Sequence, residues 1–429
     1  MTARPRMHLA VRFPAAEDTA VWAAPRAGSR IAFPACEHLA RTAERGRFDF
    51  LLLDEGLRLP EHRGRPHDLD PVGWPEPVTV LNALAAGTTW LGLAATADTA
   101  FGEPYELARR IGTLDHLSGG RAAWRVAATP DAAGNFRPGA HPERAPRSTR
   151  TAEFVTVAKL LWDSWTPDGT PRPFTHRGRH FDLAGAFGPP RSPQGRPVVI
   201  QGDESEEARE LAAATADVLL TPHGSWETAR ARCAEVRRRL AAHGRAPQDL
   251  KIMPAVTVVL GDTAAEAHER AAGIRRRRVT PQYARYVLER LWGVDLSGHD
   301  PDGPLPGIAP RSGDAETLAR VGRWRALAEA KGLSSRETVI EASGGPSFVG
   351  TPDSVAADLD AHVRAGTADG FALAADGLEE FVDRVVPLLQ ERGVFRTEYQ
   401  GTTLRSHLGL DHPVREARPQ MTQTKGKTA

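Results

Sequence analysis

The feature that most constrains this chain is a short apolar run that recurs eight times, with helix-period segments between the runs. The runs are "MHLAVRF" (7–13), "DFLLLDEG" (49–56), "WLGLAATADT" (90–99), "RAAWRVAAT" (121–129), "RPVVIQG" (196–202), "ADVLLTP" (216–222), "KIMPAVTVVLG" (251–261) and "GFALAA" (370–375). Between or after them lie "CEHLARTAERGRF" (36–48), "EPVTVLNALAAGT" (76–88), "PYELARRIGTLDHLSGG" (104–120), "AEFVTVAKLLWDSW" (152–165) and "LEEFVDRVVPLLQERG" (378–393), all with apolar residues at helical spacing. Strands that are apolar on both faces must be covered on both faces, which is the condition of a parallel sheet with helical crossovers. About eight such units favour closure over an open sheet. The fold class expected is therefore α/β, a (β/α)8 TIM barrel with insertion segments, in one domain over 7–410.

Three stretches interrupt the alternation. Residues 130–148 and 166–195 read as Pro/Gly-rich loops, the second with a small hairpin within "HRGRHFDLAGAFGPPRSPQG". Residues 265–345 begin as an arginine-rich helix and continue through "GVDLSGHDPDGPLPG". Long insertions in a compact domain are usually functional or disordered. The polar tail, 411–429, is expected to be mobile. A formal net charge of +1 gives no field to recruit nucleic acid or an anionic membrane. No apolar run approaches the roughly 20 residues a membrane span needs, and the N-terminus lacks a secretory apolar core. Cys36 and Cys233, far apart, form neither a disulfide framework nor a zinc signature and fit a reducing cytoplasm.

In a parallel barrel, ligands bind at the carboxyl ends of the strands. The residues there are Asp54 and Glu55, Thr96 and Asp98, Arg125 and Thr129, Gln201 to Ser205, and Thr221 and His223. This ring is polar and of mixed sign, without the His/Cys/carboxylate spacing of a metal site. No G-x-S-x-G elbow, P-loop, H-E-x-x-H or dinucleotide fingerprint is present. Asp115 and His116 in "LDHLSGG" read as a helix C-terminus, with Gly119 or Gly120 as its left-handed cap. The "RRRR" run at 275–278 reads as a solvated helix face.

The residues carry a resemblance as well. "PYELARRIGTLDHLSGGRAAW", "LARTAERGRFDFLLLDEG", "HRGRHFDLAG", "GVDLSGHDPDGPLP" and "FVGTPDSVAADLDAHVRAGTADGF" resemble flavin-dependent monooxygenases of the bacterial luciferase-like superfamily. Within it they resemble the branch of the nitrilotriacetate monooxygenase large component and its dibenzothiophene-sulfone and aminopolycarboxylate relatives. The likeness runs from about Met7 to about Leu410. It implies a cytoplasmic two-component monooxygenase that takes reduced FMN from a separate NAD(P)H:flavin reductase. Such an enzyme adds O2 to form a flavin peroxide and oxygenates a small organic substrate. It also implies a homo-oligomer, dimer or tetramer, and places the cofactor or substrate pocket at Asp54, Thr96, Asp98, Arg125, His141 and Ser205. Ser205 matches the serine of the family's phosphate-binding segment, here "QGDESEEA", and His141 the histidine of its "H-x-E-R-Y" element.

The departures from that pattern are specific. Arg125 stands where the family has asparagine, and Asp98 where it has serine. Ala145, or Ser148 in another alignment, replaces a tyrosine. Asp203 and Glu204 replace a glycine and a small residue, and Ala208 replaces the second glycine. A carboxylate ~4 Å from a phosphate at an effective dielectric of ~20 costs about 4 kcal/mol, unless a cation intervenes or it faces solvent. Arg125 and Asp98 are placed to form an ion pair across the pocket. Two alternatives to the monooxygenase stay open on sequence: a flavin-free barrel serving as a ligand-binding or non-catalytic subunit, and a deazaflavin-dependent oxidoreductase.

Overall fold

Eight parallel strands close into a barrel in strict chain order: β1 (His8–Phe13), β2 (Phe50–Leu53), β3 (Gly92–Asp98), β4 (Ala122–Ala127), β5 (Val198–Gln201), β6 (Val218–Pro222), β7 (Lys251–Val256) and β8 (Gly370–Ala374). The seam pairs β1 with β8 in the register His8 to Gly370, and a Cβ at Gly370 would overlap the His8 carbonyl. The computed structural model describes residues 6–13, 32–55, 61–62, 65–66, 75–128, 144–166, 168–202 and 205–413. Trp124 and Trp162 are buried against each other. No helix among the described residues is long and apolar enough to cross a membrane.

Alternation sorts each strand into two faces. Leu51, Leu53, Leu93, Ala95 and Trp124 pack outward with residues of the covering helices α1 (Phe33–Arg45), α2 (Pro77–Gly87), α3 (Pro104–Leu117) and α4 (Arg144–Trp162). The intervening residues Ala10, Phe50, Leu52, Ala94, Ala123, Val198, Ile200, Val218, Leu220, Met253 and Ala372 form the barrel interior. Leu404, Leu408 and Leu410 join them, so the short helix Leu404–His407 and the residues just after it plug the amino-terminal end.

Beneath that plug, Asp49 binds β1, β2 and the C-terminal segment together. It accepts the Leu9 N–H at 2.8 Å, pairs with His8 at 3.0 Å and forms an ion pair with Arg396. Both side chains of the Asp49–Arg396 pair are fully buried. Burial alone would raise the Asp49 carboxyl, but Arg396, His8 and the Leu9 N–H outweigh it and hold it at about 2.

Several sequence expectations change in detail. The run at 251–261 splits at Thr257: its second part, Val258–Leu260, leaves the barrel to pair with Phe348–Gly350. The closing helix breaks at Val385 into Leu378–Arg384 and Val386–Glu391, because Pro387 has no N–H to continue the ladder and its ring crowds the preceding turn. Residues 144–148, expected in a loop, are the first turn of α4. The hairpin is present as Phe174–Arg177 against Asp182–Gly185, gripped by Glu153 through His176 and the N–H groups of His180 and Phe181.

Asp115 does more than end a helix. It is fully buried, accepts bonds from the Ser192 hydroxyl, the Gln194 amide and the Ala122 N–H, and so ties α3 to β4 and the segment after the hairpin. Gly119 and Gly120 both take positive φ, as a left-handed cap requires. The 265–345 stretch is helical, with Ala264–Arg278, Pro281–Trp292, Ala315–Lys331 and Ser335–Ala342 around a separate core of Leu288, Trp292, Val321 and Val339. Only part of "RRRR" is solvated: Arg275 donates to the Ile340 carbonyl and Arg278 to Asp376.

Replacing Arg396 with methionine leaves Asp49 charged and buried without its main counter-charge. Chemical denaturation should show a loss of about 3–5 kcal/mol, part of which returns when Asp49→Asn is added. Equal losses in the single and double variants would show that the pair does not hold the floor.

Candidate active site

Following the interior face one step beyond its apolar layer gives the residue that each strand presents at the barrel's carboxyl end. Ala10 leads to Arg12, Leu52 to Asp54, Ala94 to Thr96 and then Asp98, and Ala123 to Arg125. On the remaining strands the same step reaches Gly202, Pro222, Ala255 and Ala374. Among the described residues, the strand ends of one half are polar or charged and those of the other half are small, with Asp376, paired to Arg278, one further step beyond Ala374.

Asp54 is the centre of the charged half. Its Oδ2 accepts from Arg12 Nη2 at 3.0 Å, and its Oδ1 accepts from Arg125 Nη1 at 2.8 Å and from the Thr96 hydroxyl at 2.9 Å. The Asp54 side chain is 10% exposed, and those of Arg12 and Arg125 are 19% and 23%. Buried Nε groups of both arginines have no acceptor among the described residues. The Arg125 guanidinium lies against β5, where a Cβ on Gly202 would sit 3.2 Å from its Nε. A glycine is what lets the arginine reach across.

The expected Arg125–Asp98 pair gives way to Arg125–Asp54. Asp98 is buried and turns one oxygen to the Ala100 N–H at 2.7 Å, closing its own turn. Ser205 caps the helix α5 (Glu206–Thr215) by accepting the Ala208 N–H at 3.3 Å. Gln201 and Thr221 share the outward alternation of Val199 and Leu219, and His223 packs its ring against Phe348 and His362. These three stand outside the interior layer. His141, Thr129, Asp203 and Glu204 lie outside the described residues. Of the six predicted site residues, Asp54, Thr96, Asp98 and Arg125 are brought together on one layer, and Ser205 stands at a helix start beyond β5.

Sequence reasoning missed Arg12. Its signal was an arginine at an inward position of a strand that, His8 apart, is otherwise apolar. Glu55, named only as part of the ring, has outward alternation and neighbours Asp98 and Glu76. Burial first, and then the charges of Glu76 and Asp98, push its carboxyl up to about 7, against lowering by the Asp98 N–H and Arg110. It is thus able to hold or release a proton near neutral pH beside the mouth. Among the described residues no three His, Cys, Asp or Glu side chains gather to hold a metal ion.

Comparison with known proteins gives this geometry its setting. The family described as luciferase-like monooxygenase matches residues 12–369. The chain belongs to that family. It is 37% identical over 402 residues to the N-acetyl-S-(2-succino)cysteine monooxygenase of Bacillus subtilis (strain 168), covering 88% of this chain and 90% of that protein. It is 36% identical over 407 residues to nitrilotriacetate monooxygenase component A of Aminobacter aminovorans, covering 87% and 89%. A crystal structure of riboflavin lyase with modified FMN and riboflavin superimposes with a TM-score of 0.76 at 27% identity, covering 95% of this chain and 96% of that one. In this luciferase-like barrel the Arg12–Asp54–Arg125 layer lies at the end where parallel barrels carry their chemistry.

Glu55 also sets a pH dependence. Its carboxyl holds its proton more tightly in the folded barrel, at about 7, than at its ordinary 4.5. The stability this contributes is full below the ordinary value and lost as pH rises through the folded one. Glu55→Gln removes that dependence. Thermal melting should therefore show the variant gaining on the native chain between about pH 5 and about pH 8. A difference in Tm that stays flat across the interval would contradict the raised carboxyl.

Proposed function

We propose that this luciferase-like monooxygenase is the oxygenating component of a two-component system, using reduced FMN delivered by a separate NAD(P)H:flavin reductase to oxygenate a small organic substrate. The observation that carries the reading is the charged interior layer at the carboxyl mouth of a barrel whose family and relatives are monooxygenases. The riboflavin lyase neighbour, solved with modified FMN, supports the choice of flavin.

The residues present fit such a cofactor. Arg12 and Arg125 keep buried Nε donors without acceptors, suited to the carbonyl oxygens and anionic character of a reduced flavin ring. The ten-residue helix that Ser205 caps offers the N–H groups of its first turn to a phosphate. When bound, reduced FMN supplies the electrons and the reaction with O2 that no amino-acid side chain provides. The chain's own contributions are to bind and orient through Arg12, Arg125 and Ser205, to fix both guanidiniums through Asp54, and to exchange a proton at Glu55. The buried layer beneath excludes water from below.

A second reading has one observation in its favour. Arg125 stands where the family's pattern has asparagine, and its guanidinium occupies the space over Gly202. On that reading the barrel binds a ligand without flavin.

Anaerobic titration with reduced FMN separates the two. The proposal expects saturable binding, weakened about tenfold or more by Ser205→Ala, together with incorporation of isotope-labelled O2 into an added substrate. Absence of saturable binding would leave the flavin-free reading standing.

A further inference from the structure

The inward residues of β7 and β8 stop filling the tube before the mouth is reached. One layer down, Leu220, Met253 and Ala372 are buried with the rest of the interior. The next inward step gives Pro222, Ala255 and Ala374, and Ala255 is only half-buried although Met253 beneath it is closed off completely. Ala255 pairs in register with Ala372, which places Ala374 one inward step further along the neighbouring strand. Gly202 on β5 gives up its space to the Arg125 guanidinium. The exposure of Ala255 means that no described side chain covers β7 in the same way. Polar groups around this half are already engaged. The Pro222 carbonyl accepts from Arg232 at 2.6 Å, the Thr257 hydroxyl accepts the Ser347 N–H at 3.1 Å, and Asp376 pairs with Arg278 at 3.0 Å. Parallel barrels normally fill their interior with their own side chains. Here a layer of methyl groups is left open toward the mouth, and apolar surface of that kind favours an apolar occupant.

We propose that Ala255 and Ala374 are specificity-determining residues: they wall a slot that receives an uncharged, apolar part of the substrate and limit its width. The inference rests on the proposed reading that flavin and substrate share this mouth. Arg12, Asp54, Thr96 and Arg125 bond to one another and hold the cofactor on the charged half, so the β7–β8 half is left to the substrate. That half offers methyl groups and a proline ring, which recognise shape and size rather than charge. In such a slot a single methylene changes affinity by about tenfold or more, so a larger side chain at either alanine narrows what the barrel accepts.

Indole serves as the probe, being uncharged, flat and apolar. Calorimetric titration of the flavin-free protein should show saturable indole binding, weakened about tenfold or more in Ala255→Leu and in Ala374→Leu. Reduced FMN, titrated anaerobically, should keep its affinity within about twofold in both variants, because the residues assigned to the cofactor are untouched. Thermal melting of each variant establishes that it is folded. Ala374 is the more enclosed of the two, so if its leucine variant fails to fold, Ala255→Val and Ala255→Leu together supply the size series, with the valine variant expected between the native chain and the leucine one. Indole that does not saturate overturns the proposal, as do folded leucine variants that bind it as the native chain does. Equal losses of indole and reduced FMN also overturn it, since the two halves would then not be separate. The two titrations keep the claims apart. Flavin binding with no size dependence for indole sinks the slot and leaves the monooxygenase. Size-dependent indole binding without flavin binding leaves the slot in a barrel that does not use flavin.

Discussion

Every strand of this barrel obeys one constraint: consecutive side chains point alternately at the covering helices and at the other strands. The outward positions must satisfy helices, so they are large and apolar, as at Leu51, Leu53 and Trp124. The inward positions must fill a narrow tube, so the middle layer mixes Ala10, Ala94, Ala123 and Ala372 with Phe50, Leu52 and Met253. The same alternation, carried one step further, leaves Arg12, Asp54, Thr96 and Arg125 no other direction in which to point. Burial in the middle of the tube and charge at its mouth are therefore two results of a single periodicity.

That is why so much of the fold was legible. Eight apolar runs separated by helix-period segments are enough to require a covered, closed parallel sheet, and all eight runs supply barrel strands. Detail was lost where tertiary partners decide. Val258–Leu260 is as strand-like as the residues before it, and only its pairing with Phe348–Gly350 takes it out of the barrel. The helices after Arg278 did carry local signals: Thr280 before Pro281, Asp314 before Ala315, and a Ser334–Glu337 capping box, with Gly293 and Gly332 at positive φ as stops. Their apolar residues, though, pack with one another rather than with the barrel, so the barrel's alternation gave no way to anticipate them.

For the site, position along the chain was readable and pairing was not. Strand ends nominated Asp54, Thr96, Asp98 and Arg125. Which acid meets Arg125 depends on strand stagger and on the absence of a side chain at Gly202. Thr96 and Arg125 are register partners across β3 and β4, which sets Arg125 beside the Asp54–Thr96 hydrogen bond, while the turn at Ala100 claims Asp98. Arg12 escaped notice because a single arginine in an N-terminal strand resembles an edge charge until the barrel closes and turns it inward.

The two ends of the tube treat charge in opposite ways. At the floor, Asp49 and Arg396 meet with both side chains fully buried, and His8 and a backbone N–H complete the acid's shell. Such a pair repays its desolvation only through close geometry, and it serves to lock β1, β2 and the C-terminal segment in place. At the mouth, Asp54 is shared between two arginines that solvent still reaches. A shared acid that solvent still reaches keeps two cations oriented at less desolvation cost than the fully buried floor pair bears. The closed end is thus built for permanence and the open end for exchange. Asp98 and Arg125, two of the departures that the resemblance singled out, both fall on the open end, clear of the Asp49–Arg396 pair that holds the floor.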